Sequence, residues 1–266
     1  IKMPRGIYSN IRCTDCDREP FESTKHQKDT VDYFLTSPFK GLLLYHKLGS
    51  GKTCTSVLIA DTMLLKGRIN HVYVMSPGSL REGWVNEYCR VCGADPELLR
   101  TRYTFITYNY MIGDNLPDFK NSLVIIDEVH NLINGAKNRC KHPTAVYDSL
   151  INSDCRILAL SGTPIYNYVY EFALLGKLLK PGEFFPEIRK SGDIDSHAFM
   201  SLFEQELDGT LTPKNKTKMK RTLDGIISYY PGAGVEFVPE IEELDPLQIQ
   251  MTLPQELNYW DQATQE

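Results

Sequence analysis

The stretch from Gly41 to Leu65 constrains the fold more than any other part of the chain. GLLLY at 41 to 45 runs without a charged break, which suits a strand buried on both faces of a parallel sheet. The turn HKLGSG then leads straight into a segment of helical period, from Lys52 to about Leu65. The alternation recurs downstream. HVYVM (His71 to Met75) predicts a strand, Ser76-Pro77-Gly78-Ser79 a turn and cap, and the residues through Trp84 to about Cys92 a helix. Tyr103 to Ile106, Ser122 to Ile126 and Arg156 to Leu160 predict three more strands, each short, apolar and bounded by polar or Gly/Pro residues. Five strands with helices between them imply an α/β fold, an open and mostly parallel sheet with helices on both faces. Ligands of such sheets bind beyond the carboxyl ends of the strands, so the residues just after those ends carry the functional argument.

At 42% hydrophobic and 24% charged residues, the composition can fill a sizeable core and excludes a disordered tail or a filament. No apolar run approaches the roughly 18 residues of a membrane span, and the opening IKMPRGIYSN holds no signal-peptide stretch, so neither a membrane partner nor secretion by that route is expected. Because the sequence opens with Ile1 instead of Met, processing or origin from a longer chain is expected. The 266 residues are long for one domain and short for two, which fits one large α/β domain with appendages. Its expected parts are an N-terminal extension (1–21), a main α/β lobe (22–182), an acidic and basic insertion packing on it (183–248), and a C-terminal lead-in (249–266). Past Pro181 a helix is expected near Ser196 to Leu207, an apolar segment at Leu223 to Tyr230, a strand at Ile249 to Leu253, and then a polar helix start, PQELNYWDQATQE.

Net charge is −5, which argues against attraction of nucleic acid by the whole surface but leaves room for a local patch. Residues 181 to 208 carry seven acids and two bases, whereas 212 to 221 (TPKNKTKMKR) carry five bases and no acid.

Gly49-Ser50-Gly51-Lys52-Thr53 stands between a buried strand and a helix, where a phosphate loop must be. Small residues let backbone N–H groups turn inward around phosphates, and the helix N-terminus adds its positive dipole end. Lys52 would reach the β- and γ-phosphates of ATP, and Thr53 would put its hydroxyl on Mg²⁺. One departure from the pattern GxxxxGK[ST] is His46 at the first glycine position. Asp127 and Glu128 end the strand at Ser122 to Ile126. The first acid could hold the metal and its water shell, and the second could polarise an attacking water. Leu160-Ser161-Gly162-Thr163-Pro164 follows another strand, and hydroxyls there could hydrogen-bond the Asp-Glu turn. Taken singly, an acid pair at a strand end is usually a solvated turn, and a Thr-Pro turn is usually a cap.

Together, the GKT, DExH and SGT elements resemble helicase superfamily 2 and its first RecA-like P-loop NTPase lobe. His26-Gln27 looks like that family's adenine-sensing glutamine element. Pro77, Gly78, Ser79 and Leu80 through Trp84, with Ile106-Thr107-Tyr108, are similar to its nucleic-acid contacts. SGTPIYN at 161 to 167, continuing to LKPG at 179 to 182, looks like the Swi/Snf-like branch. LLLYHKLGSGKT, IIDEVHN and QELNYW are similar to the poxvirus-type NTPases of large cytoplasmic DNA viruses. The resemblance spans about residues 22 to 263. It implies an ATP hydrolase coupled to nucleic acid, DNA more than RNA, in viral transcription, with a viral RNA polymerase among its partners and a location in the cytoplasmic viral factory or the virion. Ser161 and Thr163 would couple the nucleotide to the track. A second RecA-like lobe would supply an arginine finger, and no segment here resembles that lobe's motifs, so a front half or a subunit needing a partner is expected. An ATP-binding structural subunit and a chromatin-remodeller-type fragment stay open as alternatives. A small-molecule P-loop kinase would leave the adjacent acids and the SGTP run without a purpose.

Cys13-x-x-Cys16 and Cys89-x-x-Cys92 could supply the four thiolates of a structural zinc site. The 72 residues between the pairs far exceed the usual spacing, so buried packing thiols are the preferred assignment, with Cys54 also in the core. Seven cysteines, an odd number scattered over a long chain, point to a reducing compartment. The 214 to 221 lysine run is either a solvated loop or a path for nucleic acid. Trp84 is expected to pack in the core.

Overall fold

The computed structural model describes residues 22 to 232, except 93–95, 108–115, 166–167, 186–188, 191–192 and 207–210. These residues belong to one compact unit, Ile1–Gly232. In chain order its first half comprises α1 (Lys25–Thr36), β1 (Gly41–His46), α2 (Lys52–Leu65), β2 (His71–Ser76), α3 (Arg81–Asn86), α4 (Pro96–Arg102), β3 (Tyr103–Thr107) and β4 (Ser122–Asp127). Then come α5 (His130–Lys137), α6 (Lys141–Asn152), β5 (Arg156–Ser161), α7 (Tyr170–Leu179), β6 (Arg189–Lys190), β7 (Asp193–Ile194), α8 (Ser196–Met200), β8 (Phe203–Gln205), β9 (Leu211–Pro213), α9 (Lys216–Leu223) and β10 (Ile227–Tyr230).

Six strands form one parallel sheet in the order β10-β1-β5-β4-β2-β3. Alternation along each strand splits the core between the two faces. Leu43, Val124, Ile126, Ile157 and Ala159 pack with α5, α6 and α7 on one face. Leu42, Leu44, Leu123, Ile125, Leu158 and Leu160 pack with Phe34 of α1, with α2, and with Trp84 and Tyr88 on the other. Each such side chain, fully removed from water, contributes about 1.5–3 kcal/mol, so the sheet can form only with both helical layers in place. Trp84 is 3% exposed and stacks near Tyr88, in the core as expected.

Four elements differ from the sequence expectation. The apolar segment at Leu223 to Tyr230, counted with the insertion beyond 182, contributes the sixth strand, in register from Leu43↔Ile227 to His46↔Tyr230. As an edge strand half open to solvent (ISYY), it lacks the unbroken apolar run that marked the other five. The helix expected to reach Leu207 stops at Met200, because Phe203–Gln205 pairs antiparallel with Leu211–Pro213 as a small hairpin. The helix through Trp84 is regular only to Asn86 and widens into a π-turn at Glu87–Val91. Finally, Cys54, 2% exposed, is joined to Cys92 by a disulfide with Cα atoms 5.2 Å apart. This bond removes Cys92 from any four-thiolate zinc set and departs from the all-reduced expectation. Its partner comes from the packing of α2 on the π-turn, 38 residues away in sequence, which CxxC spacing cannot reveal. Cys89 is half-buried and takes no part in the disulfide, and Cys13 and Cys16 lie outside the described residues, as do Ile249 to Leu253 and the segment after it.

Candidate active site

The loop between β1 and α2 turns on two glycines in the left-handed region, Gly49 and Gly51, both at φ 76°. Gly51 is the N-cap of α2, and a Cβ there would fall 2.5 Å from Gln27 Nε2. Only glycine meets both demands. The first turn of α1 grips the loop from the side. Gln27 Nε2 donates to the Gly51 carbonyl at 3.3 Å, and His26 Nε2 lies 3.1 Å from the Ser50 carbonyl. Gln27 is itself fixed by a capping box, its Oε1 accepting from the Thr24 backbone N–H at 2.8 Å.

Lys52, the first residue of α2, folds back so that Nζ donates to the carbonyls of His46 at 2.9 Å and Lys47 at 3.3 Å. Burial lowers its pKa, while Glu128, Asp127 and Glu87 pull it back up. Asp127 and Glu128 are thus within electrostatic range of the same ammonium. Asp127 ends β4, and burial raises its carboxyl to about 6, helped by the adjacent Glu128 charge and opposed by the Glu128 backbone N–H and Lys52. Thr53 lies half-buried in the first turn of α2.

Glu128 has φ 50°, a left-handed conformation that turns the chain sharply off the strand. Its carboxylate lies 3.2 Å from His130 Nδ1, and Ser161 Oγ lies 3.3 Å from the same nitrogen. The Thr163 backbone N–H donates to Ser161 Oγ at 3.0 Å. His130 thus bridges the acid pair on β4 and the SGTP turn after β5, a role not assigned from sequence. Its position two residues past Glu128 was the available signal.

His46 departs from the glycine pattern in a way the packing accounts for. Its side chain is 1% exposed, on the face shared with Leu42 and Leu44, and its Nε2 lies 2.9 Å from Ser228 Oγ of β10. Burial, with His26 and Lys52 adding repulsion, depresses its pKa to about 4, which keeps the ring neutral. Ser228 and Tyr230 also escaped the sequence reading, since their strand was not placed in the sheet.

Two groups test the fit of a phosphate. Ser50 Oγ, within the loop, is buried without a hydrogen-bond partner, and Lys52 spends its protons on two backbone carbonyls. An anion seated in the loop would satisfy the first and engage the second. Among the described residues no three His, Cys, Asp or Glu side chains gather as a metal cage. Mg²⁺, which keeps several waters and takes one or two protein oxygens beside a phosphate, could be held by Thr53 and Asp127.

The proposed nucleic-acid contacts lie at the same carboxyl end of the parallel sheet, towards its β3 edge. Pro77 and the single 3-10 turn Gly78–Leu80 follow β2, and Thr107 closes β3 opposite Ser76. Gly78 and Leu80 are exposed. The Tyr108 position lies outside the described residues, as do Tyr166 and Asn167. The predicted residues thus line the carboxyl ends of one sheet: the loop, the acids and the SGTP turn at β1, β4 and β5, and Pro77 to Leu80 and Thr107 beside them at β2 and β3, where Met75 pairs with Ile126 just before Asp127.

This parallel sheet, with a glycine turn after β1 and an acid pair at the end of β4 two strands away, has the RecA-like fold of superfamily 2 helicases. Residues 20–166 match the family described as type III restriction enzyme, res subunit, and the chain belongs to that family. It is 27% identical over 239 residues to a protein of Acanthamoeba polyphaga mimivirus named as an ATP-dependent RNA helicase, covering 77% of this chain and 40% of that one. It is 25% identical over 230 residues to the early transcription factor 70 kDa subunit of Melanoplus sanguinipes entomopoxvirus, covering 77% of this chain and 31% of the relative. The fold is also similar to the Sulfolobus solfataricus SWI2/SNF2 ATPase core solved in complex with dsDNA, with TM-score 0.59, 19% identity, and coverage of 80% of this chain and 46% of that one. The chain thus spans less than half the length of these relatives. Among the described residues no helix is long and apolar enough to cross a membrane.

Proposed function

We propose that this chain is the ATP-binding lobe of a nucleic-acid-dependent ATPase that hydrolyses ATP to ADP and phosphate in the transcription of a large DNA virus. The observation that carries the proposal is the convergence of Lys52, Asp127 and Glu128 beside a glycine turn with an unsatisfied Ser50 hydroxyl. Lys52 would leave its carbonyl partners for the β- and γ-phosphates, and Ser50 and the loop N–H groups would hold their oxygens. Thr53 and Asp127 would hold Mg²⁺, which supplies charge neutralisation on the phosphates when bound. Glu128 would orient the attacking water and accept its proton, with His130 positioning the carboxylate from one side and Ser161 reporting strand β5's state to the same imidazole. Gln27 would sense the base, a role supported by its hydrogen bond to the Gly51 carbonyl. Pro77 to Ser79 and Thr107 would touch the nucleic-acid backbone, with DNA the favoured track.

The cation that meets the negative charge developing on the transferring phosphoryl group would come from an arginine of a second RecA-like lobe, in cis or in trans. A viral RNA polymerase is the partner this reading favours, in the viral factory or the virion. The test is phosphate release from Mg-ATP with and without DNA or RNA, against Lys52→Ala. Turnover that needs Lys52 and rises with nucleic acid is expected once the second lobe is supplied. Tight ATP binding with no turnover under those conditions would instead make this lobe a nucleotide-responsive structural subunit.

A further inference from the structure

The lysine run of the sequence forms a short amphipathic helix, and its setting points beyond a solvated surface. Met219 of α9 is buried against the core face that holds Phe185, which fixes the helix on the lobe. Lys214, Lys216, Lys218, Lys220 and Arg221 are all exposed around it. None of Lys214, Lys216, Lys220 and Arg221 forms an ion pair among the described residues. In a chain of net charge −5, five bases and no acid within residues 212 to 221 make a local positive field that general solubility does not explain. A groove of about 410 Å³ runs along one flank, between Pro213, Lys216, Lys220 and Ile227. A smaller cleft lined by Lys214, Asn215 and Lys218 runs along the other. Two acids border the run: Asp224 lines the first groove with Lys216 and Lys220, and Glu206 accepts from Thr212 Oγ1 at 2.9 Å, against five bases on the helix and its approach.

We infer that α9 and Lys214 form a second nucleic-acid-binding face, which grips backbone phosphates without reading bases. This rests on the nucleic-acid-dependent reading above and adds a site distinct from the β2-β3 edge. The chemistry favours phosphodiester over an acidic protein segment. The cations are mostly lysine ammoniums at alternate positions on both flanks of one helix, point charges that suit a track of evenly spaced monoanions more than bidentate carboxylate pairs. The location adds a consequence. Three residues link α9 to β10; the last of them, Ile226, accepts at its carbonyl from Leu43 N–H at 2.8 Å, and the Tyr230 carbonyl at the end of β10 accepts from Lys47 N–H at 3.0 Å. The helix is therefore one short turn from a strand hydrogen-bonded into the phosphate loop.

The experiment is a salt titration of binding to a fluorescein-labelled DNA duplex, followed by anisotropy. The variant is Lys214→Gln/Lys216→Gln/Lys220→Gln/Arg221→Gln, and the charge-matched control is Lys66→Gln/Lys120→Gln/Arg139→Gln/Lys141→Gln, all exposed positions elsewhere. Circular dichroism checks that both fold. Each lost phosphate contact lowers the slope of log K against log salt by about 0.9 on duplex DNA, so the α9 variant should lose about 3 to 4 in slope and on the order of tenfold or more in affinity at low salt. The control should track the unaltered protein. An α9 variant with unchanged slope, or a control that loses as much, overturns the inference while leaving nucleic-acid binding itself intact. If the unaltered protein binds no duplex, the broader reading fails first and takes this one with it.

Discussion

His26 stacks on Tyr230 with ring centroids 3.8 Å apart and planes within 8°, while the same imidazole reaches the Ser50 carbonyl at 3.1 Å. The first turn of α1, the phosphate loop and the end of β10 thereby form one block. The ring pair should be worth about 0.5–1.5 kcal/mol beyond its buried area. Tyr230→Ala is expected to lower stability by about 1 kcal/mol and weaken binding of a fluorescent ATP analogue several-fold, whereas Tyr230→Phe should do neither. Tyr230→Ala with undiminished nucleotide affinity would show that the stack does not hold the loop.

Much of this block was out of reach of the sequence. The four interior strands β1, β5, β4 and β2 were legible because burial on both faces leaves a largely apolar run, and the glycine loop because its glycines and Lys52 follow such a run directly. β10 was not, since an edge strand with Tyr229 open to solvent carries no such mark. With β10 unplaced, the His46–Ser228 hydrogen bond and the His26–Tyr230 stack had no partners to be inferred from. The disulfide escaped for a related reason: which thiols meet depends on how α2 packs against the π-turn, a long-range fact.

Lys52→Ala tests the centre of the site. Charge-assisted hydrogen bonds to phosphate are worth about 1.5–3 kcal/mol, so nucleotide affinity should fall by roughly 10- to 100-fold and turnover should vanish. The fold should persist, because the ammonium's present partners are only two loop carbonyls. Equal turnover in the mutant, measured by phosphate release, would dismiss the phosphate-loop assignment.

Glu128→Gln and Asp127→Asn should separate chemistry from metal binding. An acid that orients water acts in the transition state, so Glu128→Gln should retain Mg-ATP while losing about 10²–10⁴ in rate. Asp127→Asn should weaken Mg-dependent binding instead. Equal loss of Mg-ATP affinity in the two variants would contradict that division.

The raised Asp127 pKa carries a second consequence, for stability. The carboxyl sits at about 6 in the fold against an ordinary 3.8, chiefly because burial disfavours its charged form. At neutral pH the folded state therefore bears a cost absent from the unfolded chain. As pH falls through 6 the folded protein takes up the proton first, so stability rises until about 3.8 and then levels. Asn removes the charge, and Asp127→Asn should stabilise the nucleotide-free protein at neutral pH by on the order of 2 kcal/mol, with the gain fading towards pH 4. Thermal melts across that range provide the check, and a destabilised variant at neutral pH would mean that the carboxylate's partners outweigh its burial.

The Cys54–Cys92 bond predicts a redox-dependent site. Closing 38 residues of sequence restricts the unfolded chain by about 4 kcal/mol in the chain-entropy account. Unreduced peptide mass spectrometry should find the Cys54 and Cys92 peptides joined, and a reductant should lower the melting temperature of the unaltered protein but not of Cys92→Ser. Cys54 follows Thr53 directly in the first turn of α2, so freeing its anchor should also loosen the residues proposed to hold phosphate and metal. Reduction is therefore expected to weaken Mg-ATP binding in the unaltered protein and leave Cys92→Ser unmoved. One zinc per chain in protein purified without added metal, together with thiols at both 54 and 92, would refute the bond and restore the four-thiolate alternative.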